Sequence, residues 1–394
     1  METSTKNSGW KKTFSIWFGI GALMFGQMCG GASASGAYAI GYWARYGGGW
    51  MIPFILTFIL FASFCSVVGL MVVRAYDVTN YSQYFQAIWG VRGDDANPWL
   101  KRIVTVFFDI YLNLTMIMAA AACIALFGEM MNILLGLPMI IGGLMGCVLF
   151  AVLAMYGAGF LRKANGFMTI TLVAVMFVIL GCVIGERGDV LANMIGNFEI
   201  GPDWHEATPT AFYSTIIAYC AMQASAGSSL ASFADQMRHK KDCIGSGICA
   251  GVMQGLVFLL TSLIILPYLP EQLTSAAPIL VICQRFAPVI TIVYYIMILF
   301  SAASTAPTFV YSFSARFMPM WKSESVSPNV KRFIMGVVYL IVCYVISLAG
   351  MMAIVQKGYA LLGGIGGIAA GIPMLIAIPR TIKKLKEKDA AAAD

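Results

Sequence analysis

Apolar residues run along this chain in windows of about 20, each long enough as a helix to cross the roughly 30 Å hydrocarbon core of a bilayer. The windows predict spans near 14–44, 51–73, 102–128, 138–157, 164–185, 208–234, 244–267, 288–315, 332–349 and 352–379. The first is interrupted: Gly26-Gln27-Met28-Cys29-Gly30-Gly31-Ala32-Ser33-Ala34-Ser35-Gly36 sets glycine and hydroxyl residues where lipid favours leucine. Backbone groups freed at that depth find no partner in hydrocarbon and must face protein, a solute or a water-filled cavity. A second polar interruption, Ala221-Met222-Gln223-Ala224-Ser225-Ala226-Gly227-Ser228-Ser229, falls in the sixth window.

Ala32-Ser33-Ala34 and Ala224-Ser225-Ala226 stand 192 residues apart, close to half the chain. Spans one and six of ten therefore carry matching breaks, and the chain reads as two five-span repeats, approximately 13–185 and 207–380, with tails 1–12 and 381–394. Because five is odd, the second repeat enters the membrane from the other side. The predicted fold is an all-α polytopic membrane protein, a single domain of ten transmembrane helices in a 5+5 inverted repeat with helices 1 and 6 discontinuous. Paired broken helices of this kind aim half-helix ends at solute or ions near the midplane while one bundle rocks against the rest. Close packing of small residues is the competing explanation. Aromatic spacing between Asp77 and Gly90 predicts an interfacial helix, and the segments Glu186 to Glu206 and Pro270 to Arg285 are candidate external caps.

Composition agrees with a membrane protein: 60% of the 394 residues are hydrophobic and 11% charged, against about 25% charged in soluble domains, and the mean hydropathy is +0.82. With the N-terminus inside, 21 of the 25 Lys and Arg residues fall in cytoplasmic loops and tails, leaving Arg45, Arg187, Arg285 and Lys357 outside. Both termini are thus expected in the cytoplasm, with the protein in a bacterial inner membrane. These loops account for the net charge of +7, so no nucleic-acid partner is called for. The basic run Lys383-Lys384-Leu385-Lys386 is expected against anionic lipid, and the Ala-rich end is expected to be disordered. Lys11-Lys12, the run Phe14 to Phe25 and Ala32-Ser33-Ala34 imitate a signal peptide, but the apolar pattern continues through Tyr38-Ala39-Ile40 as an uncleaved span would. Ten scattered cysteines without a CxxC pair read as packing residues, and both histidines, His205 and His239, lie in loops. No constellation for covalent chemistry is visible in the spans, so an enzyme and a resident cofactor are not expected.

The 192-residue offset also pairs Asp109 with Ser301. Span eight reads Ser301-Ala302-Ala303-Ser304-Thr305-Ala306-Pro307, and Pro307 is expected to free the carbonyl of Ala303. The hydroxyls of Ser301, Ser304 and Thr305 with such a carbonyl make an oxygen-only set suited to a hard cation such as sodium; hydroxyl back-bonding to the helix is the alternative. Asp109 sits roughly 10 Å inside the Lys101-Arg102 boundary, where burying its charge costs about 2.5–3.5 kcal/mol. It is expected to face an aqueous pathway, to be protonated, or to position broken span one. Asn113 lies one turn further on the same face.

Ten spans with breaks in one and six resemble the amino acid–polyamine–organocation superfamily with its LeuT-type fold. Cys29-Gly30-Gly31-Ala32-Ser33-Ala34-Ser35-Gly36 is similar to the Gly-rich segment ending in Ala-Ser-Gly of bacterial YkvI-type membrane proteins. The resemblance implies a sodium ion between unwound span one and a small-x-x-hydroxyl-hydroxyl pattern, matched by Ser301 to Thr305. Proton-coupled relatives place a span-five lysine there, whereas Lys163 stands only at the cytoplasmic edge. It also implies that amides around Gly30, Gly31 and Ser33 hold a substrate carboxylate and that carbonyls from Tyr219 to Gln223 take its ammonium. Gln27 and Met28, ahead of the glycines, depart from the best-characterised members and shift the register of those contacts. The solute site expected from these residues has Gly30, Gly31 and Ser33 as one wall, Tyr219, Gln223, Ser225 and Gly227 as the other, and Asn113 at its edge, with Asp109 as the coupling residue. The expected function is sodium-coupled symport of a small zwitterionic solute in the lipid bilayer; a proton-coupled carrier using Asp109 and a non-transporting solute sensor are the alternatives.

Overall fold

Several helices begin or end where the sequence supplies caps. Asn97 Oδ1 accepts hydrogen bonds from Trp99 N at 2.9 Å and Leu100 N at 3.4 Å ahead of a helix opened by Pro98, and Ser327 Oγ accepts from Val330 N at 3.4 Å ahead of Pro328. Gly90 and Gly136, with φ of +72° and +65°, close the helices before them. The structure is a computed structural model that describes residues 13–22, 24–25, 30–93, 95–154, 158–198, 208, 210, 212–226, 237, 239–269, 271–272, 275, 277–318, 321–322 and 326–391. Every regular element among these residues is helical: α1 (Thr13–Ala22), α2 (Gly31–Ala34), α3 (Gly48–Tyr76), α4 (Tyr81–Trp89), α5 (Pro98–Leu135), α6 (Met139–Ala154), α7 (Ala158–Ile195), α8 (Ala218–Ala221), α9 (Gln223–Ala226), α10 (Lys240–Ile265), α11 (Pro278–Cys283), α12 (Pro288–Phe317), α13 (Pro328–Ser347) and α14 (Met351–Ala391). Seven of the described helices are long and apolar enough to cross a bilayer, which makes this a multi-pass membrane protein. The expected first and sixth spans are the broken ones, and the fourth corresponds to the 16-residue α6.

The 192-residue offset governs the architecture. It carries α2 onto α9, and it carries Gly48–Tyr76 onto 240–268, which is α10 with its short extension Leu266–Tyr268. It also brings the starts of α5, α6 and α7 within three residues of those of α12, α13 and α14. The equivalent helices α3 and α10 pack antiparallel, with Gly247 against Val67, Gly251 against Ser63 and Gly255 against Ile59. Shifted by 192, Gly251 becomes Ile59 and Ser63 becomes Gly255, so the last two contacts exchange into each other. That exchange is the signature of a two-fold axis. Equivalent helices that meet antiparallel enter the membrane from opposite sides, and the repeat is inverted. The contact is backbone-tight, since a Cβ on Gly247 or Gly251 would stand 2.5 Å from the backbone nitrogen of Val67 or Ser63.

Two expectations are corrected. α7 continues beyond Gly185 to Ile195, bending at Arg187 (φ −136°, ψ 31°), whose Nη1 donates to Pro267 O at 2.9 Å; Glu186 is therefore helical and not part of a loop. α14 does not stop near 379 but runs to Ala391. Its basic end is held by contacts: Lys388 Nζ donates to Arg74 O at 3.1 Å and Asp77 Oδ1 at 2.5 Å, Asp389 pairs with Arg74, and Lys384 lies 4.4 Å from the centroid of the Tyr76 ring; of the Ala-rich end, residues 392–394 lie outside the described residues. These contacts, together with the high helix propensity of alanine, hold the segment helical.

Gly251→Leu is expected to lower the stability of the detergent-solubilised protein by about 1–3 kcal/mol, the cost of overpacking a closed contact. Gly181→Ala on α7, with nothing within 4 Å of the added carbon, is expected to leave thermal unfolding unchanged or slightly raised. Equal melting temperatures for the two variants would contradict this packing.

Candidate functional site

Among the described residues, carbonyls of both broken segments accept hydrogen bonds from the opposite repeat or from within the break. The chain leaves α2 through Ser35 and turns at Gly36, whose φ of +90° favours a residue without a Cβ. Ala34 O accepts from Tyr294 Oη of α12 at 2.6 Å, and Ser35 O accepts from Ile279 N of α11 at 3.3 Å. At the second break Ala224 O accepts from Tyr84 Oη of α4 at 3.2 Å, and Met222 O accepts from Ser225 Oγ at 2.7 Å. Tyr111 Oη of α5 donates to Leu362 O at 3.1 Å and lies 3.5 Å from Ser225 Oγ. The short helix of each repeat thus supports the break of the other.

The structure brings Gly30 and Thr305 together. A Cβ on Gly30 would lie 2.8 Å from Thr305 Oγ1 and Cγ2, so glycine is what lets α12 approach the broken span so closely. Thr305 Oγ1 donates to Ser301 O at 2.9 Å, the back-bonded arrangement, which leaves its oxygen lone pairs as the available function. Ser301 and Thr305 are both buried. Ser33 N donates to Gly30 O at 2.9 Å and Ala34 N to the same oxygen at 3.1 Å, so the Ser33 amide is already used within the turn. Tyr219, Gln223 and Ser225 follow one another along α8 and α9 and are buried. Neither Gln223 Oε1 nor Gln223 Nε2 has a partner. Asn113 Nδ2 donates to Asp109 O at 2.6 Å, while its Oδ1 is buried without a partner. Gly227 and the Ser304 side chain lie outside the described residues.

Asp109 is neither bare in the span nor beside Thr305. Its Oδ2 accepts from Arg316 Nη2 at 2.6 Å and its Oδ1 from Arg316 Nε at 3.2 Å and from the Tyr81 hydroxyl. Burial and the neighbouring carboxylate push the Tyr81 phenol upward, so it stays a protonated donor at neutral pH. Arg316 follows Thr305 by eleven residues of α12, roughly 16 Å along the helix. The carboxylate is tolerated because a bidentate guanidinium answers it, a partner that the sequence reading assigned to a loop.

Other features of the site have no local sequence signature. Tyr38, Tyr42, Trp43, Phe58, Tyr219, Phe258 and Tyr359 form one aromatic cluster, with the Tyr42 and Tyr219 rings 4.4 Å apart and the Tyr219 and Phe258 rings 6.2 Å apart. Tyr42 Oη donates to Val355 O, tying span one to α14. Gln254, one turn from Phe258 on α10, is fully buried with both amide atoms unpartnered, as Gln223 is one turn from Tyr219. At the end opposite Asp109, Glu186 accepts from Tyr268 Oη at 2.7 Å and Arg285 Nη2 at 2.9 Å, and Arg187 stacks 4.6 Å from the Tyr268 ring centroid. A helical Glu186 facing a cap arginine was only partly signalled, by the two candidate caps.

No family model and no curated protein matches the sequence. The fold is similar to that of solved transporters at 14% identity: inward-facing Mhp1 (TM-score 0.61, covering 91% of this chain and 75% of that one), a Na+-coupled sialic acid symporter in its substrate-bound outward-open state (0.61, 91% and 78%), and MhsT in complex with L-phenylalanine (0.60, 93% and 98%). These are membrane transporters, not enzymes, and the chain shares their LeuT-type fold, with its discontinuous first and sixth helices and inverted repeats.

Proposed function

We propose that this protein is a secondary active transporter of a bacterial inner membrane, with cytoplasmic termini, that moves a small zwitterionic solute, an amino acid or related amine, in symport with sodium. We place it with the YkvI-type members of the amino acid–polyamine–organocation superfamily. The observation that carries the reading is the meeting of Gly30 with Thr305, which sets broken-span backbone against a hydroxyl oxygen whose proton is already committed. Sodium takes oxygens of Ser301, Ser304 and Thr305 together with span-one carbonyls, a donor set of hard oxygens only. The sodium coupling of the sialic acid symporter and the amino acid held by MhsT support the choice of ion and solute.

The solute lies between Gly30, Gly31 and Ser33 on one side and Tyr219, Gln223, Ser225 and Gly227 on the other, with Asn113 at the edge. Gln254 joins this set. Each buried amide group left unpaired costs about 1–3 kcal/mol, and a polar solute answers the four such atoms of Gln223 and Gln254. Sodium that favours the solute-ready arrangement couples the two through differential affinity, as one bundle rocks against the rest. Asp109, paired with Arg316 and Tyr81, acts as a cytoplasmic latch and not as a proton carrier.

Sodium is expected to raise the melting temperature of the purified protein in the presence of a bound amino acid, and Thr305→Val, which keeps the shape and removes the hydroxyl, is expected to abolish that shift. Uptake into proteoliposomes that proceeds equally well without sodium would contradict the coupling. For the latch, a double-mutant cycle of Asp109→Asn and Arg316→Gln is expected to give a coupling of about 1 kcal/mol in thermal unfolding, modest because Arg316 is 42% exposed. Asp109→Asn is expected to retain sodium-dependent solute binding; its loss would return Asp109 to the coupling role.

A further inference from the structure

α4 lies across the start of α5 and the middle of α14, and the three helices border an apolar groove of about 790 Å³, within the 300–1,000 Å³ of small-molecule pockets. Trp89, Val104, Phe107, Ile368, Ile372 and Ile376 form its walls, and Arg380 is the one charged residue among those lining it. Trp89 Nε1 donates to Ala369 O at 2.9 Å, which pins the indole at the mouth. Arg380 Nη2 donates to Ala87 O at 3.3 Å and to Ile88 O, closing the end of α4, while its Nε is buried without any partner. A second recess of about 370 Å³ shares Ile103 and Phe107 with the groove and adds Arg102. Lys383, exposed, continues the Ile372, Ile376, Arg380 stripe of α14 by three residues.

We propose that this groove is a site for one anionic phospholipid, whose acyl chain lies along the apolar walls and whose phosphate is held by Arg380, Arg102 and Lys383. The charge distribution selects this occupant. A zwitterionic lipid fills the walls but leaves the three cations only partly answered, and a free anion answers the cations but leaves the walls in water. Basic recesses between transmembrane helices at the membrane boundary recognise anionic headgroups, and tryptophan favours the same depth. The lipid would brace α4, which carries both Tyr81 on Asp109 and Tyr84 on Ala224.

The test uses the full chain, delipidated in detergent and examined by native mass spectrometry with phosphatidylglycerol, phosphatidylcholine or inorganic phosphate. Phosphatidylglycerol is expected to be retained at least tenfold over phosphatidylcholine. Arg102→Gln and Lys383→Gln are each expected to cut that preference about fivefold. Ile103→Trp and, separately, Ile376→Trp, which fill the groove, are expected to abolish the adduct in protein that keeps its wild-type melting temperature. Equal retention of the two lipids, an adduct unchanged by the filling variants, or displacement by inorganic phosphate at equal concentration would overturn the site.

Discussion

The structure depends on one constraint: backbone opened at membrane depth must find hydrogen-bond partners in protein. Two spans are opened here, and the partners come crosswise. α11, from the second repeat, donates a main-chain amide to Ser35, and α4, from the first, donates the Tyr84 hydroxyl to Ala224. Among the described residues, each break takes its hydrogen bond from the short helix of the opposite repeat. The halves are therefore interdependent in a way that simple side-by-side packing would not require.

That interdependence rests on the two-fold relation between them. α3 and α10 meet through glycines at four-residue spacing, and two of these contacts, Gly251 on Ser63 and Gly255 on Ile59, exchange under the same 192-residue shift that aligns the breaks. Backbone-to-backbone approach of this kind suits lipid surroundings, where close packing and not water exclusion draws helices together. Around this rigid pair stand two charged closures: Asp109 with Arg316 and Tyr81 at one end, and Glu186 with Arg285 and Tyr268 at the other. Each closure joins helices from different repeats.

Much of this was legible in the chain. The Ala-Ser-Ala echo revealed the repeat because internal symmetry leaves the same residue types at the same offset, and α2 and α9 fall on those residues. That broken span one meets the hydroxyl pattern of span eight was implied by the family resemblance, and Gly30 stands beside Thr305. Arg316 was not placed with Asp109, because a pair 207 residues apart has no local signature and the helix carrying Arg316 runs further than its hydropathy indicates. The seven-ring aromatic cluster was invisible for the same reason: its members are spread over spans where single aromatics are ordinary. The helical course of α14 to Ala391 follows from contacts with Arg74, Asp77 and Tyr76, none of which is near it in sequence.

By itself the sequence determined the membrane class, the inverted duplication and the location of both breaks, since these follow from hydropathy, glycine and hydroxyl placement and an odd span count. Only the tertiary structure decided which groups face one another: the crosswise support of the breaks, the Asp109 and Arg316 pair, the buried amides of Gln223 and Gln254, and the groove beneath α4. The physical reason is that hydropathy and backbone propensity are properties of a segment, whereas a hydrogen bond or an ion pair exists only once two distant segments share a position in space.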